Sequence, residues 1–180
     1  MESLDILILG VEASVAFAGF AGIIATFQFG ETKKVRRADA VGLTIIVQFS
    51  LFAALLSSIP LLLHSFGAKA TTVWTISSAV TVIVFGVAQY AQHINLGASI
   101  RNKALNRAVI LIQCVGIVMI SINTLNVLDL FFHREAGPVI AAILWVLSCA
   151  GFLFSRLLLL PIWRNVRDQE AARLAAATSG

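Results

Sequence analysis

The sequence predicts an all-α integral membrane protein: a five-transmembrane-helix bundle with its N-terminus outside and its C-terminus cytoplasmic. Three observations carry that reading. Only 12% of the 180 residues are Asp, Glu, Lys or Arg, and 59% are hydrophobic, where soluble domains carry about 25% charge. Five nearly uncharged stretches are each long enough to cross a bilayer. The basic residues gather in alternate connections between those stretches.

A chain with a mean hydropathy of +0.93 cannot cover a soluble surface. That excludes a soluble enzyme, a disordered chain and a collagenous or disulfide-stapled scaffold. The apolar stretches show no period-2 alternation, so they are helices rather than membrane barrel strands. Spans are expected near 5–29, 41–65, 72–94, 108–131 and 138–162, each reaching the ~20 residues that ~30 Å of hydrocarbon requires. They form a single transmembrane domain, residues 1–180, joined by short connections that make consecutive helices antiparallel neighbours. The first span is read as a permanent helix. Glu2 and Asp5 precede it, with no basic residue before Lys33, whereas a signal peptide opens on a basic region.

Orientation follows from Lys and Arg in the connections. Lys33, Lys34, Arg36 and Arg37 precede the second span, Arg101, Lys103 and Arg107 precede the fourth, and Arg164, Arg167 and Arg173 follow the fifth. Five spans place all ten on one side and leave Lys69 and Arg134 on the other. The basic side is read as cytoplasmic, in a membrane of the bacterial inner (plasma membrane) type. Residues 164–180 are expected to continue the last helix as a short tail whose arginines attract anionic lipid. Trp74 and Trp163 fall at span ends, where interfacial aromatics belong. Arg156 lies inside the fifth span close enough to its cytoplasmic end to snorkel.

No CxxC, HExxH, Walker or GxGxxG pattern occurs, so no enzyme activity and no cofactor are expected. Cys114 and Cys149 lie within spans and read as small packing residues. Nothing in the composition suggests nucleic-acid binding.

Function is sought where hydrocarbon penalises a polar group. Glu12 lies roughly 10–12 Å into the first span at 1.5 Å per residue. An ionised carboxylate facing lipid there costs several kcal/mol, so it must be protonated, paired or hydrated. The fourth span brings Asn123 and Asn126 to a similar depth, with Asp129 nearer the surface. Spacing by three keeps these residues on one side of their helix. Glu12, Asn123, Asn126 and Asp129 are therefore the candidate ion or proton site. Amides in membrane helices also serve as plain interhelical glue, which is the competing reading for the two asparagines.

A second polar set, Gln48, Gln89, Gln92, His93 and Gln113, lies toward the basic side, and Gln89, Gln92 and His93 share one helix face. His64 and His133 end the second and fourth spans. They are the residues a haem or other metal would use, since paired axial histidines are a known haem arrangement; the plain reading puts them at the interface. Small residues line the first span, with Glu12, Ala16 and Gly19 on one face, so the carboxyl is expected to point at another helix, of this chain or of a second copy.

Two functions of different classes follow. One is a small oligomeric channel or ion- or proton-conducting protein working at Glu12. The other is a structural or accessory subunit packed on a larger membrane complex. A haem- or quinone-binding redox protein is a minor third. The expected partners are the bilayer itself and either further copies or a membrane-complex subunit.

The topology has its own measurement. A cysteine replacing Ala68, in a chain freed of Cys114 and Cys149, should react with a membrane-impermeant maleimide in intact cells. Protection of that position, with labelling only after lysis, would reverse the orientation.

Overall fold

A computed structural model describes residues 2–30, 37–96 and 103–178, and all of its regular structure is helical. The chain runs α1 (Glu2–Gly30), α2 (Arg37–Ser65), α3 (Ala70–Leu96), α4 (Lys103–Val127) and α5 (Gly137–Thr178). Each contains a stretch long and apolar enough to cross a membrane: Ser3–Thr26, Gly42–Ser65, Ala70–Ala91, Ile110–Val127 and Gly137–Leu159. Lys33, Lys34, Arg36 and Arg101 of the basic connections lie outside the described residues.

Two of the helix ends share one device. Past α2, the Ala68 N–H donates to Leu63 O and the Gly67 N–H to His64 O, at 3.2 and 2.9 Å. Gly67 sits between them at φ 74°. This is the Schellman closure, and glycine adopts its left-handed position without penalty. α4 closes in the same way, with Leu130 N–H donating to Leu125 O and Asp129 N–H to Asn126 O. Here the left-handed residue is Asp129, at φ 59°. The closure ends α4 at Val127, four residues before the expected 131, because the backbone turns where the sequence remains apolar. Pro138 then occupies the first turn of α5, where its missing N–H costs nothing.

The helices alternate in direction, and α1, α3 and α5 start at a common end of the bundle. At that end α1 meets α2 at a close crossing, where a Cβ on Gly10 would stand 2.6 Å from Ser57 Oγ and 3.4 Å from Ile143 Cγ2 of α5. At the opposite end Gly42 of α2 faces Leu157 of α5. α5 is the hub, touching every other helix, whereas α1 touches only α2 and α5 among the described residues. Two apolar clusters fill the bundle. One, around Leu7, Leu56, Phe85, Val139, Ile143 and Val146, occupies the half where α1 begins, and the other joins Ala21, Leu43, Ile46 and Leu157. Phe17 meets Phe154 edge-on at 5.9 Å and closes the α1–α5 contact.

α5 runs on without interruption from its apolar part to Thr178. That gives about 28 Å of helix past Leu159 at 1.5 Å per residue, the extension the tail sequence predicts.

Glycines 10 and 22 should respond oppositely to one substitution. Gly10→Val drives a branched side chain into Ser57 and Ile143 and should cost about 1–3 kcal/mol. Gly22 has nothing within 4 Å of its Cβ position, so Gly22→Val should leave the isolated chain's stability unchanged. Denaturant titration in detergent micelles measures both.

Candidate functional site

Among the described residues, several hydroxyls and amides at span depth are hydrogen-bonded inside the bundle, whereas the carboxyl of Glu12 is exposed. Short hydroxyls solve the problem within their own helix. Ser14, Ser50 and Thr81 are fully buried and donate to the carbonyls four residues back, at 2.6, 2.9 and 2.8 Å. Hydroxyls bonded this way pack as small apolar groups. Ser57 Oγ and Ser77 Oγ are also buried, without a hydrogen-bond partner.

Asn123 and Asn126 are wholly buried and spent on the fold. Asn126 Nδ2 donates to Ser78 Oγ at 2.8 Å and to Glu135 O at 3.0 Å, and its Oδ1 accepts from the Glu135 N–H at 3.1 Å. One side chain thereby ties the end of α4 to α3 and to the approach of α5. Asn123 Nδ2 donates to Met119 O at 2.9 Å and to Pro138 O at 3.2 Å, which fixes the first turn of α5. Its Oδ1 has no partner.

Asp129 lies in the turn between α4 and α5 and is half exposed. Its carboxylate stands 3.9 Å from both His133 Nδ1 and Arg134 Nε. Pairs this long and this exposed contribute little. The same turn holds His133 and Arg134 at φ 45° and 59°, so three residues without glycine's freedom occupy the left-handed region, where each costs roughly 1–2 kcal/mol. Two hydrogen bonds between Asn126 and the peptide groups of Glu135 hold that turn in place. His64, in the last turn of α2, is exposed. Among the described residues no group of three His, Cys, Asp or Glu is placed to hold a metal ion.

Glu12 sits apart from all of these. It lies nine residues into the apolar part of α1, about 14 Å at 1.5 Å per residue, roughly half the ~30 Å that a hydrocarbon layer spans. It is exposed on α1, where it borders the groove between α1 and α2. Because α1 does not touch α4 among the described residues, the structure does not bring Glu12 together with Asn123, Asn126 or Asp129. Similar depth placed them in one set; depth says nothing about direction around a helix. The expectation that Glu12 and Gly19 share a face holds, since both are exposed and Gly19 has open space at its Cβ position. Beside the carboxyl runs an open groove, lined by Ile8 and Val11 of α1 and by Ser58, Leu61 and Leu62 of α2.

Toward the other end, Gln89 Nε2 donates to Gln113 O at 2.9 Å, joining α3 to α4. Gly116 makes that possible, because a Cβ there would overlap the Gln89 amide. Gln89 also borders a small cavity of about 40 Å³, walled by Phe49, Phe52, Phe85, Trp145 and Cys149. Gln48 is exposed on α2. The side chains of Gln92 and His93 lie outside the described residues. Gln89 and Gln113 are thus brought together and Gln48 is not. The role of Gly116 went unread, although a glycine three residues after a span glutamine is a visible signal of close approach. Cys149 is buried and Cys114 exposed.

No protein-family model, no curated protein and no solved structure matches the chain.

Two substitutions separate structural from functional roles here. Asn126→Ala should lower stability by about 2–3 kcal/mol, through the lost hydrogen bonds to Ser78 and Glu135. Asp129→Gly should be neutral or stabilising by up to ~1 kcal/mol, because it relieves a left-handed residue. Unfolding in mixed micelles measures both, and a stable Asn126→Ala chain would contradict the assigned role.

Proposed function

We propose that the chain is a subunit of a small oligomeric channel or ion- or proton-conducting protein, with Glu12 as its working group. Its membrane is read as a plasma membrane, with the basic connections in the cytoplasm. The observation that supports this reading is the outward position of Glu12 at mid-span depth.

Five helices packed around the apolar clusters leave their polar groups occupied. Asn123 and Asn126 hold the α4–α5 turn, and Gln89 holds α3 to α4. A carboxyl on the outer surface of α1 is in a different situation. Against acyl chains it would stay without hydrogen bonds, at a cost of several kcal/mol when ionised. Against further protein, or a hydrated space enclosed between subunits, it has partners. Conduction between subunits then needs only a carboxyl that exchanges a proton, or coordinates a small cation, in a gap open to water. Gln48, exposed on α2 toward the basic end, is the next polar group such a path would meet. Asp129, half exposed at the other end, gives that mouth an acidic group.

A second reading is favoured by the same exposed face. The chain would then be an accessory subunit whose α1 docks on a larger complex, with Glu12 answered by a donor of the partner. Conduction is what distinguishes the two.

Flux from vesicles containing the purified full chain provides the test. Proton or potassium flux should exceed that of empty vesicles, and Glu12→Gln should lower it about tenfold or more, equivalent to ~1.4 kcal/mol on the barrier. Ile83→Ala, on the exposed side of α3, should leave it within about twofold. No flux above empty vesicles, or equal flux with Glu12→Gln, would remove the conducting function.

A further inference from the structure

We propose that the partner facing Glu12 is a second copy of this chain, packed in parallel along α1 so that two Glu12 carboxyls meet at one depth. This rests on the reading of Glu12 above and names the partner it requires. Ile8, Glu12, Val15, Gly19, Gly22 and Thr26 follow one another along α1 at alternating steps of four and three. All six are exposed. Residues 8, 15 and 22, and likewise 12, 19 and 26, recur every seven residues, the repeat of helices that pair with a left-handed crossing.

Any helix resting on a bundle leaves one side uncovered, so exposure alone names no occupant. The chemistry of this side does. Gly19 and Gly22 have nothing within 4 Å of their Cβ positions, so no neighbour among the described residues requires them to be small. A glycine inside a helix costs about 1 kcal/mol relative to alanine, and lipid gives no return for it. A second helix does, because its backbone can approach closely there. About two to three turns away on the same stripe stands Glu12, polar at mid-span depth.

A second copy suits that carboxyl better than a cation does. Lys69, Arg134 and Arg156, like Arg107 and Arg164 in the helices beyond the spans, stand near the bundle's ends. They are roughly 14 Å or more from the level of Glu12 at 1.5 Å per residue. A carboxyl is complementary to itself: protonated it both donates and accepts, and a pair related by a two-fold axis can share its protons. A two-fold axis along the membrane normal puts identical residues at identical depth, so Glu12 meets Glu12 and the glycines meet the glycines. The groove between α1 and α2 beside Glu12 leaves room for the partner's apolar side chains.

Cysteine cross-linking tests this pairing in the full chain. In a Cys114→Ser, Cys149→Ala background, single cysteines replace Val15 or Gly22 on the seam, or Ile83 on the exposed side of α3. The purified chains are reconstituted in phosphatidylcholine vesicles and oxidised with copper phenanthroline. Val15→Cys and Gly22→Cys should give disulfide-linked dimers at least tenfold more than Ile83→Cys. Adding Glu12→Leu to Val15→Cys should lower its dimer yield severalfold. Glu12→Gln, whose amide also pairs with itself, should preserve it. Monomer at both seam positions, or equal cross-linking at Ile83, would overturn the inference. Seam dimers from a chain that conducts nothing would uphold this pairing and remove conduction alone; conduction without seam dimers would do the reverse.

Discussion

Hydrocarbon offers no hydrogen bonds, so a polar group placed at its depth must find a partner in the protein. The bundle meets that constraint in two ways. Serines and threonines turn back to their own helix, as Ser14, Ser50 and Thr81 do. Amides reach across: Asn126 to Ser78 and to both peptide groups of Glu135, Asn123 to Pro138, and Gln89 to Gln113. These bonds connect α3, α4 and α5 where apolar packing alone would leave their rotation less well determined. They also hold a turn with three left-handed residues, none of them glycine. Glu12 stands outside this arrangement, an exposed carboxyl with no hydrogen bond or ion pair among the described residues.

The position of α1 explains why. α5 contacts every other helix, and α2 lies against α1, α3 and α5. α1 is peripheral and covered on one side, by Leu7, Gly10, Ser14 and Ala21 turned inward. Its other side carries Ile8, Leu9, Val15, Phe20 and Ile23, as a lipid-facing surface would, interrupted by a carboxyl and two glycines. An apolar helix with one covered face suits a membrane. The interruptions suit a second protein surface.

Much of the fold was legible in the sequence. The five apolar stretches identify the five helices, because apolar length is what a span demands, and the tail continues α5 as its helix-forming composition implies. The end of α4 was not legible. Leu128, Leu130 and Phe131 keep the sequence apolar past the Schellman turn at Asp129, and hydropathy does not register a backbone reversal. The site was legible residue by residue but not as a set. Depth follows from counting, which put Glu12 level with Asn123 and Asn126. Facing depends on which helices touch, and α1 does not reach α4. Asn123 and Asn126 are buried and hydrogen-bond to α3, to the α4–α5 turn and to α5, the kind of contact that the plainer reading expects. The small-residue face of α1 was visible from its spacing; that Gly19 and Gly22 lack neighbours required coordinates.

The central claim is that Glu12 meets protein rather than lipid. A cryo-EM reconstruction of the purified chain in lipid nanodiscs, resolving side chains along α1, tests it most directly. The expected result is a neighbouring helix in van der Waals contact with Gly19 and Gly22, with a polar group within hydrogen-bond distance of the Glu12 carboxyl. Acyl-chain density running unbroken along that stripe, with Glu12 facing it, would contradict the claim.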